Sequence, residues 1–387
     1  MRAEWGFDPE ATYLNHGTVG AVPTRVLAAQ HAVQAEIERH PARFLLRELA
    51  DIKQVPMRRP ARMRVAAEAI AAFVGARPED LAFVDNATEG CNAVLRSWDF
   101  RPGDEVLVTD HGYGAVTLAT RYAVERAGGT VRTVTLPWPT VTPETVVAAI
   151  TEAIGPATKM LVVDHVCSGS SLILPLREIA AACRARGVVT LVDGAHAPGM
   201  LPLDIPSLGC DFYTGNLHKW AMSPRSCAIL WAAPERQAAL HPTVISWGYG
   251  LGMSAEFDLV GTRDPSPFLG APEGIAFLRE LGLDEVRAYN HALAWETAKR
   301  FTERWGTEIP GPESMYGSMV TVLLPERVEA QPAAVQRLKD ALLFEDGIET
   351  QIHVFRGRVC LRIAAQIYNE AEEYERLWAG IARRIGE

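Results

Sequence analysis

The sequence predicts an α/β protein: a large domain on a mostly parallel sheet flanked by helices, with a small α+β C-terminal domain. Three observations carry that expectation. From about residue 60, short unbroken apolar runs alternate with helical segments, and strands buried on both faces read as continuous apolar runs. After a Pro- and Gly-rich stretch at 242–274, which reads as loop, the order of elements changes. A chain of 387 residues is also long enough for two cores.

In order, helical patterns at 60–74, 88–98, 114–127, 143–154 and 176–186 separate the apolar runs. Those runs are LAFV (81–84), EVLV (105–108), TVRTV (130–134), KMLVVD (159–164) and VVTLVD (188–193). FYTG (212–215) and CAILWA (227–232) close the series. Two helices around 271–304 lead to SMVTVLL (318–324), a helix at 332–345, IETQIHVF (348–355), VCLRIA (359–364) and a last helix at 370–385. The expected division is a large domain at 15–268, a connecting helix at 269–284 and a small domain at 285–387, with 1–14 packing on the latter.

Composition narrows the function classes. The chain is 48% hydrophobic and 22% charged, with a net charge of -9, which argues against general nucleic-acid binding. No apolar run suits a signal peptide or a membrane span, and no membrane partner is expected. Six scattered cysteines lack CxxC spacing, and the ten histidines show no HExxH pair. They read as reduced thiols in a cytoplasmic protein without a metal site.

In open α/β sheets ligands bind beyond the carboxyl ends of the strands. There the sequence places Asn86-Ala87-Thr88, His111-Gly112-Tyr113, Asp164 to Ser168, Asp193 to His196, and TGNLHKW (214–220). Singly, each has a bland reading, such as a helix cap, a turn aspartate or a packed aromatic. Lys219 stands out because only five of the 38 basic residues are lysine, and a lysine can lose its proton and attack, whereas arginine cannot. A buried-looking lysine, an aspartate ending a strand 26 residues earlier, a phosphate-type helix start and an aromatic plate are the parts pyridoxal phosphate needs.

With those motifs in hand, the chain resembles the class V aminotransferase family of pyridoxal-phosphate (PLP) enzymes, fold type I, and within it the isopenicillin N epimerase-like subgroup. The resemblance runs through YLNHGTVGAVP (13–23), NATEGCN (86–92), HGYGAV (111–116), DHVCSGSSLILPL (164–176), VDGAHAPG (192–199), DFYTGNLHKW (211–220), GTRDPSPF (261–268) and LRIAAQIYN (361–369). It implies that Lys219 forms the Schiff base and then shuttles the proton, that Asp193 pairs with the pyridinium nitrogen, and that His196 donates to the phenolic oxygen. It implies that Tyr113 stacks on the ring, that Ala87, Thr88, Asn216 and His218 hold the phosphate, and that Ser168 lies near the Schiff base. Thr262 reaches the phosphate from a second subunit, which makes the protein a homodimer. Arg362 binds the substrate carboxylate, and Asn15 and His16 line the substrate mouth.

Cysteine desulfurases of this family carry a mobile catalytic cysteine before that arginine. Here the intervening segment is short, and Cys360 sits in a strand-like run, which disfavours a desulfurase. The expected activity is α-proton abstraction from an amino acid, epimerase-like. C–S β-lyase chemistry is a close alternative, transamination a further one, and a PLP-binding regulator the reading outside enzymes.

Overall fold

The computed structural model describes residues 1–53 and 57–386; residues 54–56 and 387, which fall within the two expected domains, lie outside the described residues. In chain order the strands are β1 (Thr12–Tyr13), β2 (Leu81–Val84), β3 (Glu105–Thr109), β4 (Thr130–Val134), β5 (Thr158–Asp164), β6 (Val189–Asp193), β7 (Phe212–Asn216) and β8 (Ala228–Ala232). The remaining four are β9 (Met319–Leu323), β10 (Ile348–Glu349), β11 (Gln351–Phe355) and β12 (Arg358–Ala364).

Seven strands form the central sheet in the order β2-β8-β7-β6-β5-β3-β4. Its neighbours are parallel except for β8, which runs antiparallel to both β2 and β7. Each strand feeds two cores by simple alternation. Met160 and Val162 of β5 join one cluster, whereas Leu161 and Val163 join the other. Every residue of β6 is buried, and each such apolar side chain contributes about 1.5–3 kcal/mol. This double burial is why the strands read as unbroken apolar runs.

A separate antiparallel sheet has the order β11-β12-β9, and β1 pairs in parallel with β10. The expected single strand over 348–355 is therefore two strands. Glu349 ends β10 against the N-terminal segment, and Gln351 begins β11 against Arg362.

The stretch 242–274 is not all loop. It contains a short helix, Met253–Asp258, and the start of the helix Ser266–Glu280. Pro267 stands in the first turn, where its missing N–H costs nothing. Phe268, Ala271, Ile275 and Leu278 recur at helical spacing and are buried, a periodicity that the prolines mask. The next helix, Leu283–Trp305, starts after Gly282. A helix at Thr24–Arg39, which the periodicity did not mark, packs against Ser266–Glu280.

Gly199 has φ 92°, and a Cβ there would lie 2.2 Å from the Trp220 carbonyl oxygen, beside Lys219. Gly199→Ala is therefore expected to cost at least about 2 kcal/mol of stability, measured as a lowered urea midpoint with an unchanged slope.

Candidate active site

Sheet topology brings three polar strand ends together. Asp164 and Asp193 sit opposite each other in the β5/β6 register, and Asp193 opposes Thr214 two residues before Asn216. The helix Ala87–Ser97 starts over the same edge. Asn86 caps it by accepting from the Glu89 N–H at 2.9 Å. The Ala87 N–H donates to Asn216 Oδ1 at 2.8 Å, so strand end and helix start are locked together. Asn86, Ala87 and Thr88 then border a cavity of about 400 Å³, at the positive end of a helix dipole. Tyr113, Asp164, Ser168, Asp193, His196 and Lys219 also border it.

Lys219 is the chemical centre. Burial pushes its amine down to about 8, aided by the Arg362 charge and opposed by Asp193 and Asp164. Its Nζ lies 3.3 Å from His196 Nε2. Trp220 Nε1 donates to the other ring nitrogen of His196 at 3.5 Å, which assigns the proton of the neutral ring to Nε2. Burial, then the Lys219 charge, holds His196 well below its ordinary value. The imidazole is thus a neutral donor aimed at an amine able to accept. His218 is likewise pushed down to about 4, chiefly by burial, and its Nδ1 donates to the Cys227 carbonyl at 3.0 Å.

Burial raises both carboxyls at the strand ends. Asp164 is held well above the usual range by burial and then by Asp193. Asp193 Oδ1 accepts from the Ala195 N–H at 3.0 Å, and the Lys219 charge also favours its ionised form. A cationic ring nitrogen placed here would meet the Asp193 carboxylate.

Arg362, on β12, is 2% exposed, yet its hydrogen-bond partners among the described residues are all neutral. Nη1 donates to the Ser168 carbonyl at 2.9 Å, and Nη2 donates to Asn15 Oδ1 at 3.0 Å and to the Thr18 hydroxyl at 2.5 Å. Nε has no partner among the described residues. Burial pushes the guanidinium down to about 10. A sealed cation held only by dipoles is suited to a carboxylate ligand.

The structure gathers most of the sequence-predicted residues on the cavity wall but not all: Arg362 stands behind the lining residues Thr18 and Ser168. Asn15 touches Arg362 and is buried behind it. His16 does not face the cavity: it is fully buried, with Nδ1 on the Tyr368 hydroxyl at 2.8 Å and Nε2 on the Lys219 carbonyl at 3.1 Å. It braces the lysine backbone from behind. Thr262 is exposed and borders no part of the cavity within this chain. Sequence reasoning gave no role to Asp164, Val166 and Ala195 within the strand-end segments and missed Thr18; all four also line it. Asp164 was legible as a strand-end acid in line with Asp193, whereas nothing local marks Thr18.

Comparison with known proteins decides the family. The profile of Aminotransferase class-V matches residues 51–383. The chain belongs to the class V aminotransferase family. It is 33% identical to an isopenicillin N epimerase of Streptomyces clavuligerus, over 98% of this chain and 96% of that protein. It is 32% identical to a putative L-cysteine desulfhydrase of Oryza sativa subsp. japonica, over 97% and 83%. Among solved structures, the cystine C-S lyase C-DES in complex with cysteine persulfide superposes with a TM-score of 0.80. That match has 24% identity and covers 97% of this chain and 98% of the other.

The protein is thus a PLP-dependent enzyme of fold type I. The cavity fits that cofactor: a depressed amine, a helix N-terminus for a phosphate, a paired acid for a ring nitrogen and a neutral imidazole donor. Only the neutral amine attacks an aldehyde. Cofactor capture by the apo-protein should therefore accelerate about tenfold per pH unit up to about 8 and level off above it, followed by stopped-flow absorbance. Lys219→Ala should lose the borohydride-reducible yellow chromophore.

Proposed function

We propose that the enzyme removes the α-proton of an amino acid with Lys219, in an isopenicillin N epimerase-like reaction. The single observation that carries this is the buried Lys219 amine, depressed to about 8, in one cavity with the Asp193 carboxyl. The cofactor, when bound, supplies an electron sink for the α-carbon. Lys219 takes the proton, Asp193 holds the ring nitrogen charged and His196 donates at the ring oxygen. Thr88 and the Asn216 Nδ2 amide hold the phosphate, Ala87 locks the helix start above it through Asn216 Oδ1, and His218 joins once the phosphate charge draws a second proton onto its ring. Tyr113 covers the ring, and Ser168 positions Arg362 through its carbonyl.

C–S β-elimination is the second reading, and one observation favours it. The ionisable groups on the cavity wall are Tyr113, Asp164, Asp193, His196, His218 and Lys219. Among them His196 contacts the lysine amine itself, and the two aspartates sit at adjacent strand ends. β-Elimination needs one base, whereas epimerisation needs a second donor on the opposite face. A desulfurase mechanism has little support, because Cys360 is fully buried in β12 and burial pushes its thiol to about 12. The β11–β12 turn is also anchored by Arg356, which pairs with Asp110 and donates to the Leu136 carbonyl.

The proposal extends to a homodimer with a shared site. Trp247 is 83% exposed and Tyr249 61%, with Val244 and Ile245 also exposed in the segment preceding Thr262. An apolar run of this kind suits burial against a second copy, which would bring Thr262 to the partner's phosphate site. Trp247→Glu should yield monomers by light scattering, with weaker cofactor retention. Arg362→Ala should raise KM for amino acids by at least about 30-fold, with a smaller change in kcat. Incubation with L-cysteine conjugates and with chiral amino acids separates the readings. Pyruvate and released sulfur species indicate the lyase, and loss of chirality without release indicates the epimerase.

A further inference from the structure

Glu349 stands one amide away from the buried Arg362. Asn15 Nδ2 donates to Glu349 Oε1 at 2.7 Å, while Oδ1 of the same amide accepts from Arg362 Nη2 at 3.0 Å. The Thr18 hydroxyl donates to that oxygen at 2.6 Å. The orientation follows from chemistry: a guanidinium only donates and a carboxylate only accepts, so the amide oxygen must face Arg362 and the NH₂ must face Glu349. We propose that Asn15 is a positioning residue that insulates Arg362 from Glu349, keeping the guanidinium free of a carboxylate partner until that of an amino acid arrives. The inference rests on the reading of Arg362 as the carboxylate site.

The fold puts Asn15 between the two charges by strand pairing. β1 runs alongside β10 with Tyr13 opposite Glu349, and the Leu14 N–H donates to the Glu349 carbonyl at 2.9 Å. One residue later the chain crosses over, and Asn15 bridges to Ala364 of β12, two residues from Arg362. The next turn wraps the guanidinium. A Cβ on Gly17 would lie 2.5 Å from Met319 Sδ and 3.5 Å from Arg362 Cζ, so a side chain there would have to displace Met319. Asn15 is 4% exposed and Arg362 2%, so water does not separate the groups.

Without the amide, Glu349 and Arg362 could form a charge-assisted pair of the kind an amino-acid carboxylate must make. With it, the Glu349 charge polarises the amide and strengthens its acceptor oxygen, which orients Nη2 without neutralising it. The sequence motif YLNHGT is then a spacer and a clasp for Arg362 more than a substrate mouth.

The test measures binding of L-alanine to the holoenzyme through the change in visible cofactor absorption. Asn15→Ala should weaken binding by at least about tenfold. Adding Glu349→Gln to that variant should restore it to within about threefold of wild type, because the competing charge is gone. The isosteric pair Asn15→Asp with Glu349→Gln places a carboxylate directly on Arg362 and should weaken binding by at least about tenfold, even if Asn15→Ala does not fold. Full affinity in the isosteric pair, or no rescue of Asn15→Ala by Glu349→Gln, overturns the inference. Arg362→Ala is the control for the underlying reading: unchanged binding there removes the carboxylate site itself, whereas lost binding there with intact binding in the Asn15 variants sinks only the insulation.

Discussion

The site depends on holding one buried amine close to the point of proton loss inside a wall of opposing charges. Burial and Arg362 push the Lys219 proton off, while Asp193 and Asp164 pull it back on. The balance falls near 8, low enough for a useful fraction of neutral amine close to neutrality. His196 supports that balance because its Trp220 contact leaves Nε2 as the donor toward the amine. Burial and the Asp193 charge raise Asp164, and burial raises Asp193 as well, so each acid opposes full ionisation of the other.

The N-terminal segment ties this charge balance to the rest of the fold. Residues 12–15 pair with β10 and bridge to β12, His16 holds the Lys219 carbonyl, and Gly20 lies against the His218 carbonyl, where a Cβ would come within 2.2 Å. Lys219, Arg362 and the N-terminal turn are therefore one connected block. Distances between them are set by backbone contacts, which a flexible loop could not maintain to the same tolerance.

Much of this was legible in the sequence, for physical reasons that differ by element. The central strands were readable because burial on both faces leaves no polar positions, as in Val189–Asp193. Lys219, Asp193 and Thr88 were readable because strand ends and helix starts have fixed places in a parallel sheet. The start of the helix Ser266–Glu280 was hidden by Pro267, although a first-turn proline is permitted. The split at Thr350 was hidden because it depends on pairing with Thr12 and Tyr13, more than 300 residues away. The same holds for His16 and Thr18: a histidine and a threonine in a short N-terminal motif carry no local sign of which faces the cavity and which braces Lys219.

The central claim is that the Lys219 amine accepts the substrate α-proton. Proton NMR of L-alanine incubated with holoenzyme in D₂O tests it most directly, by following loss of the α-hydrogen signal. The account predicts α-hydrogen exchange by the wild-type enzyme, increasing with pH toward a plateau above about 8 as the free amine fills, and no exchange by Lys219→Ala reconstituted with the cofactor. Exchange at an undiminished rate in that variant would contradict it.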